Sequence, residues 1–420
     1  MIKRPIFFCV VCCFFCVTKM HAQNNTSPYS MLGIGDMEKS MFDRTSGMGH
    51  AGLALSSNRF LYQGNPASYA KLDEHFFYME VATRFRSVGY SGAPITDPAQ
   101  SYSADMQFKK IAIAIKPRPG WAISAGLLPF STSNYSFYGK KNIQGSNLTT
   151  DAYYDGTGST NQFYIANSFA ITKKFSVGLQ TSYLFGQLQE TETIEGTVSD
   201  SVLSTSRNIF IGNPYLKLGV QYKTKITKDW DLSIGATIAN KTRLKADYHL
   251  LVKDGNSVLR DNEYYKSNYF TIPVTYTGGI AAIYQNAVTF AVDYNYQGWS
   301  SLNYKGISYS LVNSQKISAG AEYSKKLSYM NQAFEKYFFQ GGFFYNNSYL
   351  RIAGQQLTDI GATIGAGIQL ARSGLGLQGA LEIGTRGTTN AGLIKEKYTQ
   401  FNITISYRDF WISRKMKKYD

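Results

Sequence analysis

Strict two-residue alternation, sustained over long runs, limits the fold of this sequence more than any other feature. Phe175, Val177, Leu179, Thr181, Tyr183 and Phe185 alternate with Ser176, Gly178, Gln180 and Ser182. Val288, Phe290, Val292, Tyr294 and Tyr296 alternate with Thr289, Ala291, Asp293 and Asn295, and the period recurs across 230–238, 360–368 and 401–407. It sets apolar side chains on one face of an extended strand and polar ones on the other. A soluble sandwich alternates as well, with its apolar face packed on a second sheet. Here the strands are long, and the polar-face residues are small and uncharged or acidic, which suits a crowded or wet lumen. After residue 23 no apolar run approaches the roughly 20 residues of a spanning helix. The pattern predicts an all-β fold, a transmembrane antiparallel β-barrel.

About fourteen strands are legible between 75 and 411. Short gaps at 117–120, 172–174, 284–287 and 372–374 alternate with longer ones at about 140–159, 190–204 and 249–265, as expected of short periplasmic turns and long outer loops. The gap at 326–334 is longer than a tight turn and breaks that phase. An even count puts both termini on the periplasmic side. The strands cannot be divided between domains, because closure is what satisfies their edges in lipid. The 32 tyrosines and 26 phenylalanines supply the aromatic girdles such barrels carry at both interfaces.

Residues 1–22 read as a secretory signal, with Lys3 and Arg4 ahead of an apolar stretch at 5–17 and a small residue, Ala22, at the cut site. A lipoprotein signal at Cys16 is the rival, but Phe14 and Phe15 stand where a small residue is expected. All four cysteines fall in this stretch, so the mature chain has no disulfide, cysteine zinc site or thiol nucleophile. The formal net charge is +15; Lys3, Arg4 and Lys19 leave with the signal, which holds no acid. For an exported chain this basic balance points away from nucleic acid and toward lysines that rim the barrel near lipid and lipopolysaccharide phosphate. Beyond the last strand, 412–420 reads as a basic periplasmic tail carrying Arg414, Lys415, Lys417 and Lys418.

No catalytic constellation is present. His50, His75 and His249 lie at no metal-ligand spacing, and there is neither a Gly-x-Ser-x-Gly elbow nor a Walker loop. His50 reads as a satisfied buried histidine. The run 151–158, with Asp151, Asp155 and Gly156, lacks the terminal glutamate of a calcium loop and reads as a surface loop. The expectation is a monomeric non-enzyme without cofactor or metal.

Residues 23–74 are too polar and glycine-rich for a domain of their own. Within them Gly47-Met48-Gly49, then Gly52, then Asn65-Pro66-Ala67 make a poor strand and a poor helix. Glycine permits close backbone approach in a crowded lumen, Pro66 fixes a turn and restrains Asn65, and the Asn65 amide can tie to nearby backbone. The bare structural reading is a tight turn leading into the first strand; the functional one is a luminal hatch.

These elements resemble the FadL/OmpP1/TodX family of outer-membrane transporters for long-chain fatty acids and hydrocarbons, which carry a Gly-rich stretch followed by Asn-Pro-Ala in an N-terminal hatch. The fourteen-strand count is also that family's. Ser27-Pro28-Tyr29-Ser30 with Gly33-Ile34-Gly35-Asp36 looks like the mature start of a Bacteroidetes-type branch. The same elements occur in a FadL-like component of type IX protein secretion, so the motif alone does not separate transport of a hydrophobic small molecule from a role beside secretion-system proteins. In the third strand, Gly126, Leu128, Pro129 and Phe130 form a second family-like feature. A proline there removes a ladder donor and favours a kink, and in the family a kinked third strand opens the wall sideways. The plain alternative is a bulge near the rim, which is also the reading for Pro273. The resemblance implies passive passage of an apolar ligand past an apolar upper lumen and out beside Pro129.

Overall fold

The computed structural model describes residues 27–92, 101–142, 149–195, 202–304, 309–329, 332–370 and 374–410. The expected signal at 1–22 and basic tail at 412–420 lie outside these residues. Fourteen antiparallel strands close into one barrel. They are β1 (Phe76–Ser91), β2 (Tyr102–Arg118), β3 (Trp121–Thr132 continued by Tyr135–Asn142), β4 (Thr149–Ala170), β5 (Phe175–Glu195), β6 (Val202–Lys225) and β7 (Trp230–Ala239 continued by Thr242–Asp254). Then follow β8 (Ser257–Ile272 continued by Thr275–Tyr284), β9 (Val288–Gln297), β10 (Tyr309–Leu311 continued by Ser314–Tyr329), β11 (Gln332–Ile352), β12 (Gln355–Gln369), β13 (Leu375–Gly387) and β14 (Lys395–Phe410). Closure is the pairing of β14 with β1, from Phe410↔Phe76 to Lys395↔Ser91.

Alternation works as the sequence predicts. Ile111, Ile113, Ile234, Phe290, Ile364 and Ile405 face outward and are exposed, while Ala112, Ala114, Ser233, Thr363 and Thr404 between them are buried. The inward face is more charged than expected, and it holds bases as well as acids: Glu80, Arg84, Lys109, Lys110, Glu322, Glu382 and Arg386 are all buried. At the end where β1 begins and β14 finishes, Phe76 packs on Phe410 with centroids 4.2 Å apart, and Trp230 on Tyr284 at 5.0 Å.

Three expected gaps shrink. β4 begins at Thr149, and β5 and β6 run to Glu195 and from Val202, so most of 140–159 and 190–204 is ladder, not loop. β7 and β8 are joined across 255–256, which removes the loop expected at 249–265. The run 151–158 accordingly lies in β4, and no metal-holding group of three His, Cys, Asp or Glu occurs among the described residues. The 326–334 gap is likewise a hairpin, with a bulge at Lys325/Lys326. Spanning takes about 9–11 strand residues; β9 has 10 while β6 has 24, so the longest strands project well beyond the band at the loop end. Pro273 interrupts β8 between its two halves.

Candidate functional site in the occupied lumen

Residues 27–72 run through the barrel from one end to the other. At the loop end, the Tyr29 hydroxyl donates to the Ile394 carbonyl at 2.5 Å just ahead of β14. At the turn end, Lys71 Nζ donates to the Lys173 carbonyl at 2.6 Å between β4 and β5. The strand count therefore places the start of β1 and the end of β14 together, while Ser27 sits at the opposite end.

Ion pairs and hydrogen bonds to buried wall residues fasten this segment along its length. Asp36 meets Arg386 at 2.7 Å, Lys39 meets Asp359 at 2.5 Å, and His50 Nε2 meets Glu382 at 2.9 Å. Glu38 lies 3.2 Å from Lys109 and 3.6 Å from Arg84. Burial alone would raise the Glu38 carboxyl, but Lys109 and Arg84 outweigh it and hold the pKa down at about 2. Burial likewise opposes ionisation of Asp36, and Arg386, Lys39 and Arg86 overcome it and hold its pKa well below the usual range. Arg44 is the most heavily engaged. Its Nε and Nη2 donate to Glu322 at 2.8 and 2.6 Å, its Nη1 and Nη2 donate to Glu335 at 2.8 and 2.7 Å, and its guanidinium lies over both the Phe60 and Phe338 rings.

The two glycine-marked motifs rest in two glycine-lined slots. Met48 is fully buried, and a Cβ on either Gly320 or Gly342 of the wall would overlap its backbone. A Cβ on Gly365 would come within 2.9 Å of Gly47 Cα. Gly49 adopts φ 63° with its nitrogen donating to Thr363 Oγ1 at 2.7 Å, a conformation that favours glycine. Gly52 and Leu53 nitrogens both donate to Asp293, at 2.7 and 2.9 Å. Asn65 caps the short 3-10 helix Pro66–Lys71 by accepting from Ala67 N at 3.0 Å, while its amide donates to the carbonyls of Leu53 at 3.3 Å and Val220 at 2.9 Å. Gly178, Gly219 and Gly235 make room for it: a Cβ on Gly178 would strike Pro66 and Ala67, one on Gly219 would strike Asn65 and Pro66, and one on Gly235 would come within 2.7 Å of the Leu53 carbonyl. Gly47, Met48, Gly49, Gly52, Asn65, Pro66 and Ala67 are thus brought together with the wall. The wall glycines and the ionic partners went unnoticed in the sequence. Their signal was charge and glycine at inward registers of alternating strands.

Gly126, Leu128, Pro129 and Phe130 lie at a break in the wall. The β2–β3 ladder ends at Ile111↔Leu127, where a Cβ on Gly126 would overlap Ile111 and come within 2.9 Å of Ala112. Beyond it, β3 stays paired with β4, with a register shift between Pro129 and Ser131. Its other edge is taken by the luminal segment: Asp36↔Thr132, Met37↔Ser131, and Glu38 N donating to the Phe130 carbonyl at 2.9 Å. Ser27 N continues the contact to the Asn134 carbonyl at 3.2 Å. Residues 27–38 thus occupy the place where β2 would lie.

A cavity of about 230 Å³ lies behind this seam. Its lining includes Leu128, Pro129, Phe130 and Tyr215 together with Lys217, Asp293 and Lys316. The Lys217 side chain has no ion-pair or hydrogen-bond partner among the described residues. His50 Nδ1 and Asp293 Oδ1, both on the cavity lining, are buried without a partner. Toward the loop end an apolar cluster fills part of the lumen: Trp299 is fully buried and stacks on Tyr349 at 4.4 Å, and Phe270, Leu350 and Tyr29 belong to the same cluster.

This architecture is shared with known barrels. A FadL homologue from Pseudomonas aeruginosa matches with a TM-score of 0.65 at 14% identity, over 90% of this chain and 100% of that one. The toluene transporter TbuX of Ralstonia pickettii matches at 0.61 and 16% identity over 87% and 97%, and the toluene transporter TodX of Pseudomonas putida at 0.53 and 15% over 89% and 98%. No curated protein matches the sequence. The fold and its occupied lumen define a FadL-like closed β-barrel. Within that class the chain belongs to the BamG family, whose sequence profile matches residues 1–420.

Proposed function

We propose that this barrel is a passive outer-membrane channel for hydrophobic small molecules, with residues 23–74 as its hatch and the β2–β3 seam as its sideways exit. One observation carries the reading: the cavity behind Leu128, Pro129 and Phe130 abuts the stretch where β2 and β3 are unpaired and only residues 27–38 intervene. An apolar ligand reaching it would gain roughly 25 cal/mol for each Å² it buries and need not cross the ion-paired floor. Ligand pockets usually measure about 300–1,000 Å³, so the resting cavity suits a compact molecule. A long-chain fatty acid requires residues 27–38 to shift, with Lys217 beside its carboxylate. In this reading the turn end faces the periplasm, the signal at 1–22 is removed, 412–420 is a periplasmic tail, and one chain acts alone among lipid and lipopolysaccharide. Cells lacking the protein should take up labelled fatty acid or toluene more slowly; an unchanged rate for both would contradict it.

A second reading is favoured by a different observation. The hatch is fastened by ion pairs to wall residues at Asp36, Glu38, Lys39 and Arg44, and the loop end is filled by Trp299 and Tyr349. A barrel closed this firmly also suits a non-transport component of type IX protein secretion or surface-protein assembly. That role predicts normal uptake in a deletion strain, surface proteins missing from it, and large outer-membrane partners co-purifying with the barrel.

A further inference from the structure

The wall has a second break, away from the seam. Above Thr275 the upper half of β8, Ser257–Ile272, pairs only with β7 among the described residues, because β9 stops at Gln297 opposite Thr275. From Ser257 to Ser267 both faces of this strand lie open to solvent apart from Tyr264, and among the described residues no strand pairs with the backbone groups of its outer edge. Val258, Leu259 and Tyr265 are 56%, 61% and 62% exposed on it. Such an edge is a template for another strand.

We infer that this edge is a docking site for an extended segment of another polypeptide, added as a further strand beside β8. The backbone row dictates the partner's conformation, and the side chains dictate its charge. Arg260, Asn262, Tyr264 and Lys266 share one face, where Tyr264 stacks on Tyr248 at 5.0 Å and Lys266 lies over the Tyr248 ring. Asp261, Glu263 and Tyr265 share the other, with His249 bonded to Asp261. Opposite charges facing each other across strands stabilise a pair, and like charges destabilise it. The segment that fits an antiparallel addition therefore has acids facing Arg260 and Lys266, and bases facing Asp261 and Glu263. A second copy is a poor occupant. Two barrels in one membrane are related about the membrane normal, which would bring the two edges together in parallel with Arg260 against Arg260 and Glu263 against Glu263. This segment lies outside the membrane band, since β9 alone completes a span below it.

The test uses the full chain in detergent micelles and a fluorescein-labelled peptide, Glu-Val-Tyr-Lys-Thr-Lys-Glu, which matches the edge from Lys266 to Arg260. Saturable anisotropy is expected. The exposed double substitution R260E/K266E should weaken it about tenfold while leaving heat-dependent gel mobility unchanged. Methylating alternate peptide nitrogens on the side that faces β8 should abolish it, because the ladder then cannot form. Absence of saturable binding, or equal binding of the methylated peptide, would overturn the proposal. So would a barrel dimer that buries this edge.

Discussion

Arg44 and Glu322 share two hydrogen bonds, 2.8 and 2.6 Å long, across the interface between the luminal segment and the wall. Glu335 completes the clamp from the same hairpin. Breaking such a buried pair from one side leaves an uncompensated charge, typically costing about 3–5 kcal/mol. R44M should therefore lower the thermal midpoint of the purified barrel and raise its single-channel conductance. Adding E322Q and E335Q should recover part of the lost stability, because no buried charge then stands alone.

The Gly-Met-Gly motif needs the wall to be as spare as itself. G342V places a branched side chain where Met48 and Gly49 pass, and overpacking of this kind costs about 1–3 kcal/mol. Limited proteolysis should cut the displaced hatch of G342V faster than that of the parent protein. G278A, where a Cβ meets open space, should leave the rate unchanged.

Acid should loosen the upper hatch only at extremes. The Glu38 pKa is lowered to about 2 from an ordinary 4.5, so its contribution is fully present above about pH 4.5 and is lost as pH falls through 2. Asp36 is shifted in the same direction. Conductance of the reconstituted barrel should stay low from pH 7 to 5 and rise only below about 4. E38Q should remove part of that low-pH dependence.

Lys217 should separate anionic from neutral ligands. K217M is expected to reduce uptake of labelled long-chain fatty acid several-fold while leaving toluene uptake close to the parent rate. Equal loss for both would show that the lysine supports packing and does not read charge.

The barrel was legible because its signal is local. Alternation at 175–185 or 288–296 needs only neighbours in sequence, and the fourteen strands follow from it. Long loops were overread where Thr149–Ala170 and Ser257–Ile272 run on as ladder: polar residues such as Asp261 and Asn262 have no apolar face to alternate against once a strand leaves the membrane band. In the hatch, the motif residues announced themselves by composition. Arg44, Asp36 and Glu38 did not, because their meaning lies in partners some 50–350 positions away, at inward registers of β2, β10 and β13. The wall glycines were hidden similarly: Gly342 reads as a weak strand residue until Met48 is seen against it. Pro129 marked the break in the wall, yet the sequence did not show that Asp36–Met37 fills it.

Met37 and Ser131 stand opposite each other in the short ladder that closes the seam, and every native cysteine lies within the first 16 residues. M37C/S131C therefore offers one designed disulfide far in sequence from the native cysteines, at a position where adjacent antiparallel strands bring residues within bonding range. Uptake of labelled fatty acid and of toluene by cells carrying this variant is the most direct test of sideways exit. The account predicts slow uptake of both in the oxidised barrel and recovery of the parent rate on reduction. Parent-level uptake with the disulfide formed would contradict it.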